Sequence, residues 1–102
     1  MIQANGLKKE EQNKIIGLCK AILPGCTIWL YGSRARGDFR ANSDIDLALD
    51  CKRVIDLMEL SELKEVLNAT NIFLKVDIVD LASINDQNFL KSILKERVLW
   101  KD

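Results

Sequence analysis

Two short runs of sequence decide how this chain folds: Thr27–Tyr31, which reads TIWLY and continues into Gly32-Ser33, and Asp44–Asp50, which reads DIDLALD. The first run is rich in β-branched and aromatic residues, which favour strands. The second run alternates along its length, and a period of two also predicts a strand. Gly32 allows a sharp change of chain direction directly after the first strand. The sequence thus predicts one strand that ends in a glycine turn and another that begins with two aspartates.

Helical patterns surround these two strands. Apolar residues recur at helical spacing in three segments, and polar residues fill the positions between them. Pro24-Gly25 ends the first of these helices, and Asn85 or Ser83 is predicted to cap the last. The predicted helices are Lys8–Leu23, Val54–Leu67 and Asn85–Val98.

A third strand is predicted at Phe73–Leu81, where apolar and polar residues alternate again around Asp77. Helices and strands therefore alternate along the chain. Such alternation is typical of an α/β (or α+β) domain in which helices pack on a small sheet. We expect one domain over residues 1–102, and the pattern leaves the order of the strands open.

Composition excludes several classes of function. The formal net charge is zero, whereas proteins that coat nucleic acid usually carry a basic excess, so we expect no direct nucleic-acid partner. The chain has no histidine, which excludes histidine-based acid–base catalysis and a zinc site of the usual kind. No signal peptide and no membrane-spanning run is visible, so the expected location is the cytoplasm. The three cysteines are accordingly expected to be free thiols.

The aspartates of two predicted strands suggest a metal site. Asp44 and Asp46 are two apart in a strand and therefore project to one face, where two ionised carboxylates repel unless a cation lies between them. Mg²⁺ fits this need because it takes oxygen ligands and often completes its shell with substrate phosphates. If the strand of Asp77 pairs beside that of Asp44, three carboxylates meet, an arrangement suited to a two-metal displacement at phosphorus.

The segment after the first strand suggests a phosphate site. Beyond Gly32 the backbone amides can face a phosphate, and Ser33 adds a hydroxyl donor. The guanidinium groups of Arg34 and Arg36 match phosphate oxygens, and Gly37 has no side chain to block a ligand. Each of these features alone also has a plain structural explanation, as a solvated strand face, a turn or surface charges. Their combination points to a site for a metal and a phosphate.

This combination resembles the signature of the polymerase-β-type nucleotidyltransferase superfamily: Gly-Ser, ten intervening residues, then Asp-x-Asp. From about Lys8 to Trp100, including the KVDIVDL stretch at residues 75–81, the chain is similar to the minimal nucleotidyltransferase (MNT) family. All three acidic positions of the family pattern are present, which implies an active enzyme. The residues that match the core motif are Gly32, Ser33, Ala35, Gly37, Ser43, Asp44, Asp46 and Leu47.

The resemblance implies a small mixed sheet flanked by helices and a set of roles for the site residues. It implies that Gly32 and Ser33 bind the triphosphate of ATP, that Asp44 and Asp46 hold Mg²⁺, and that Asp77 is a third metal ligand or activates the attacking hydroxyl. Members of this family are commonly encoded beside a HEPN-domain ribonuclease toxin. Some act as its antitoxin by transferring AMP from ATP to a tyrosine of the toxin, in type VII-like toxin–antitoxin pairs.

Two other functions remain open at this stage. The chain could be a non-catalytic antitoxin that blocks its toxin sterically, with a vestigial acidic site. It could also be a transferase for small molecules such as aminoglycosides, although it has no second domain to form their pocket. We favour AMP transfer to a protein, because so small a domain leaves little chain from which to build an acceptor pocket of its own.

Overall fold

The computed structural model of the protein describes residues 1–70 and 74–102. It contains four α-helices, four strands and one 3₁₀ turn within those residues. In chain order these are α1 (Lys9–Ile22), β1 (Thr27–Tyr31), α2 (Ser33–Arg36), β2 (Ile45–Asp50), α3 (Leu57–Asn68), β3 (Val76–Asp80), the 3₁₀ turn Leu81–Ser83, α4 (Gln87–Glu96) and β4 (Val98–Lys101).

The strands form one sheet in the order β3-β2-β1-β4. β1 pairs antiparallel with both β2 and β4, whereas β2 and β3 run parallel, so the sheet is mixed as the resemblance implied. A parallel pair needs a crossover connection, and α3 supplies it between β2 and β3. β2 therefore lies inside the sheet with a hydrogen-bonded neighbour on each side.

The core lies mainly on one face of the sheet, against α1 and α3. Strand residues alternate between faces, and the apolar set of β1, β2 and β3 turns toward these two helices. A smaller cluster on the opposite face joins α4 to the sheet through Tyr31, Ala48 and Ile93. The main core includes Ile15, Cys19, Ile28, Leu30, Leu47, Leu49, Leu63, Leu67 and Ile78.

The predicted elements agree with the structure except at their ends. β1 is confirmed residue for residue, and α1 is one residue shorter than predicted at each end. α3 begins at Leu57 and not at Val54, because the carboxylate of Asp56 accepts hydrogen bonds from the amides of Met58 and Glu59 and so caps the helix there. The strand predicted at Phe73–Leu81 is observed as β3, and its Phe73 end lies outside the described residues.

The end of the chain corrects the predicted last helix. Its cap is Asp86, which accepts from the amides of Asn88 and Phe89, and neither Asn85 nor Ser83 has this role. The helix ends at Glu96 because Arg97 adopts extended backbone angles. Val98, predicted to be helical, begins the strand β4, which pairs with β1. Only this tertiary pairing distinguishes Val98–Lys101 from one more helical turn.

Two of the three cysteines are not free, contrary to the prediction. In the β1–β2 pair Thr27 lies opposite Asp50, which brings the flanking Cys26 and Cys51 face to face with their Cα atoms 4.1 Å apart. The two are joined by a disulfide. Cys19 is a free thiol in the core, and burial raises its pKa to about 12, which keeps it protonated and unreactive.

Candidate active site

Gly32 makes the turn from β1 into α2. Its φ of 75° lies where side chains are disfavoured, and its carbonyl accepts hydrogen bonds from the amides of Ala35 (3.1 Å) and Arg36 (3.0 Å). Gly37 ends the helix in the left-handed conformation, with its amide donating to the Ser33 carbonyl at 2.8 Å. The first amides of so short a helix, at Ser33 and Arg34, have no intrahelical acceptor and so can receive a ligand.

The three predicted aspartates meet beside this turn. β2 and β3 do pair, and the register places Asp46 directly opposite Asp77. On the other side of β2, Asp46 lies opposite Tyr31, the last residue of β1 before the glycine turn. Asp44 is exposed and lies one residue before β2. The sheet therefore brings the acidic residues and the glycine turn together at one end of three neighbouring strands.

Burial and neighbouring charges act together on Asp46. Burial raises the pKa of Asp46 to about 6, and repulsion from Asp77 and then from Asp44 adds to the shift, while Arg36 and Arg34 oppose it. Burial also raises the pKa of the Tyr31 hydroxyl, with further contributions from Asp46 and Asp77. Oxygen ligands with excess negative charge suit Mg²⁺.

Clustered side chains do not by themselves identify a metal site in the described part of the chain. Across residues 1–70 and 74–102, no group of three or more His, Cys, Asp or Glu side chains is arranged to hold a metal ion. The assignment of Asp44, Asp46 and Asp77 as metal ligands stays a prediction.

Gly32 also makes room for Asp46. A Cβ atom built on Gly32 would collide with the Oδ2 atom of Asp46 and lie 3.2 Å from its Cγ atom. The side chain of Asp46 thus lies against the backbone of the glycine turn. The lack of a side chain at position 32 therefore permits both the turn and the position of the carboxylate.

The guanidinium of Arg34, a predicted phosphate ligand, contacts backbone carbonyls in this structure. Its side chain is buried, and its Nε and Nη2 atoms donate to the Ser43 carbonyl at 3.1 and 3.0 Å. Nη1 donates to the Asn5 carbonyl at 2.9 Å, and the guanidinium stacks on the ring of Phe39. Arg34 therefore holds the loop that leads to Asp44 against the N-terminal segment, and its donors face backbone carbonyls.

Arg36 is half-exposed at the edge of the site and lies beside a residue that the sequence did not single out. Its guanidinium contacts both carboxylate oxygens of Glu96, at 3.1 and 3.2 Å, and Asp38 at 3.2 Å. The same Glu96 carboxylate accepts a hydrogen bond from the amide of Gly32 at 3.1 Å. A glutamate in the last turn of a helix is unfavourable because its charge opposes the helix dipole. This unfavourable position was the one sequence signal that could have identified Glu96 as a functional residue.

The helices of the described residues include none with the length and apolar character that crossing a bilayer requires.

Comparison with known proteins identifies a family that this chain matches. The family model described as "Polymerase beta, Nucleotidyltransferase" matches residues 13–102. The protein adenylyltransferase MntA of Shewanella oneidensis is 32% identical over 95 residues, which cover 92% of this chain and 68% of that protein.

Solved structures show the same similarity. A chain of a toxin–antitoxin crystal structure with AMP-PNP superimposes with a TM-score of 0.74 at 31% identity, over 87% of this chain and 71% of that one. A structure of a tri-AMPylated HEPN toxin of Shewanella oneidensis in complex with an MNT antitoxin gives a TM-score of 0.71 at 26% identity, over 92% and 71% of the two chains.

Proposed function

This chain belongs to the polymerase-β-type nucleotidyltransferase family, and we propose that it transfers AMP from ATP to a tyrosine of a HEPN-domain toxin and thereby acts as the antitoxin of that toxin. The observation that carries the proposal is the position of Asp46, which lies opposite Asp77 in the sheet and against Gly32 of the turn. In this proposal the acidic side chains hold a metal and the backbone amides of the neighbouring turn bind phosphates. Proteins similar to this chain include a protein adenylyltransferase and a chain of a toxin–antitoxin complex.

The nucleotide lies, in this proposal, along the glycine turn. The free amides at the start of α2 and the hydroxyl of Ser33 bind phosphate oxygens, and Arg36 neutralises part of their charge. Gly37 leaves the surface beside them open, since no atom lies near the position of a Cβ there. Arg34 is not assigned to the phosphates, because it holds the loop before Asp44.

Asp44 and Asp46 would hold Mg²⁺. When bound, the ion neutralises phosphate charge and keeps the nucleotide in line for displacement. The fit rests on the oxygen donors of the cluster and on the raised pKa of Asp46, which comes first from burial and then from repulsion by Asp77 and Asp44.

The reaction forms a bond between the tyrosine oxygen of the acceptor and the α-phosphorus of ATP. The bond from that phosphorus to the bridging oxygen breaks, and pyrophosphate leaves. Asp77 is half-buried beside Asp46 and is the residue that we propose to accept the hydroxyl proton, since the chain has no histidine. We place the activity in the cytoplasm, where ATP is available.

The test uses ATP labelled on its α-phosphate, Mg²⁺, the purified chain and a HEPN-domain toxin from the same genome. The matched control is Asp44→Asn combined with Asp46→Asn, which removes two charges and keeps side-chain size. We expect label on the toxin with the native chain and none with the double variant. A toxin that is inhibited equally by both forms and never labelled would instead identify a steric antitoxin.

A further inference from the structure

Glu96 has contacts that a bound anion would make. It is the last residue of α4, and its side chain is only 20% exposed. One carboxylate oxygen accepts from the backbone amide of Gly32, and both contact the Nη1 atom of Arg36. A backbone amide at a glycine turn together with a guanidinium group is the donor set by which proteins commonly bind phosphate oxygens.

These donors belong to the segment to which the proposed function assigns the triphosphate. Arg36 is one of the residues proposed for the phosphates, and the amide of Gly32 adjoins those of Ser33 and Arg34. A phosphate that approaches this turn meets the negative charge of Glu96 in hydrogen-bond contact with the same donors. The Glu96 carboxylate and the phosphate repel each other, so they cannot both form strong hydrogen bonds with these donors.

The position of Glu96 in its helix favours displacement. Its charge lies at the carboxyl end of α4, where the partial negative charge of the helix opposes it. Tyr31, Asp46 and Asp77 surround the same end of the sheet, and Glu96 is among the charges that raise the pKa of Tyr31. The contacts with Gly32 and Arg36 stabilise the Glu96 carboxylate in this negatively charged environment.

We propose that Glu96 is an internal anion that occupies the phosphate donors of the nucleotide-free site and is displaced when ATP binds. The inference rests on the proposed function, in that it takes the glycine turn to be the triphosphate site. It makes Glu96 a determinant of nucleotide affinity and selectivity. Weakly charged anions fail to displace it, whereas a triphosphate with its metal succeeds.

The test compares Glu96→Gln with Glu62→Gln. Glutamine keeps the size of the side chain and can still accept one hydrogen bond but has no charge. Glu62 lies on the exposed face of α3, so its variant controls for the change in net charge. The probe is the α,β-methylene analogue of ATP with Mg²⁺, titrated calorimetrically without an acceptor, so that no transfer occurs.

We expect Glu96→Gln to lower the Kd of the analogue by about three- to tenfold, the range for removing one partly exposed competing charge, and Glu62→Gln to leave it unchanged. Equal or weaker binding by Glu96→Gln, with tight binding by the native chain, would overturn the inference and make Glu96 a structural tie. Absence of binding by the native chain would instead overturn the proposed function, and the inference with it.

A second variant keeps the test decisive if Glu96→Gln folds poorly, as judged by its thermal melting. Glu96→Asp retains the charge and shortens the side chain by one methylene, so that it reaches the donors less well. We expect its Kd for the analogue to fall between those of the native chain and Glu96→Gln. A Kd above that of the native chain would count against displacement.

Discussion

Asp46 and Asp77 lie directly opposite each other in the parallel pair of β2 and β3, so that two carboxylates share one end of the sheet. Burial and this neighbour raise the pKa of Asp46 to about 6 from an ordinary value near 4. The carboxyl group of Asp46 therefore binds its proton more tightly in the folded protein than in the unfolded chain. The corresponding stability is fully present below about pH 4 and is lost as the pH rises to about 6.

The first prediction concerns Asp46→Asn in metal-free buffer. Because asparagine has no charge to bury, the variant should be more stable than the native chain above pH 6, by about 1 kcal/mol after allowance for the partial exposure of the site. The difference should disappear near pH 4. Urea unfolding in EDTA at both pH values measures it, and a variant less stable at pH 7.5 would show that the ionised carboxylate has a structural role.

The second prediction concerns Gly32→Ala. Alanine at a φ of 75° strains the backbone, and its Cβ would collide with the carboxylate of Asp46. We expect a loss of roughly 1–3 kcal/mol in the free energy of unfolding and at least about a tenfold loss of AMP transfer. Chemical denaturation and the labelling assay measure the two effects.

Gly17→Ala is the matched control for this substitution. Gly17 lies inside α1 with open space where a Cβ would go. Alanine is the better helix former, so the control should gain about 0.5–1 kcal/mol and keep its activity. If both glycine variants had the same unfolding free energy and AMP-transfer activity, the close contact between Gly32 and Asp46 would not be needed for function.

The third prediction concerns Arg34→Ala. The buried guanidinium donates to the carbonyls of Ser43 and Asn5, so its loss leaves partly buried acceptors without this partner. We expect about 2–4 kcal/mol of destabilisation and faster hydrogen exchange in residues 38–44. Arg53→Ala, which truncates an exposed arginine, should cost less than about 0.5 kcal/mol. Unchanged exchange in residues 38–44 would contradict the role given to Arg34.

The fourth prediction concerns the thiols. With Cys26 and Cys51 joined, only the buried Cys19 remains free. Alkylation of the protein after denaturation without reductant should modify one thiol per chain, and prior treatment with dithiothreitol should raise the number to three. Mass spectrometry counts the adducts, and three adducts without reductant would show that the pair is reduced in the purified protein.

The features that could be predicted from the sequence are local ones. The alternation in Asp44–Asp50 and the apolar spacing of α1 come from the geometry of a single strand or helix. The glycine turn and the aspartates next to it were placed correctly for the same reason. The meeting of Asp46 with Asp77 could be stated only as a condition, because it depends on which strands pair.

The features that were missed depend on contacts between distant segments. Glu96 reaches Gly32 across 64 residues of sequence, and Arg34 reaches Asn5 across 29. The disulfide follows from the register of β1 and β2. The strand β4 forms by pairing with the edge of β1. Local preference carries no information on such pairings, which is why the contacts of Arg34 with Asn5 and of Glu96 with Gly32 were not predicted.

The interior position of β2 has a consequence for how the site responds to its substrate. A strand hydrogen-bonded on both sides exchanges its amides slowly, since opening it requires disruption of the whole sheet. The spacing of Asp46 from Asp77 is then settled when the chain folds, and no entropy is spent on it when nucleotide arrives. We expect the ordering that accompanies catalysis to involve the loop before Asp44 and the end of α4, which flank the glycine turn. Mutations that alter turnover without altering the melting temperature should therefore concentrate in those two segments.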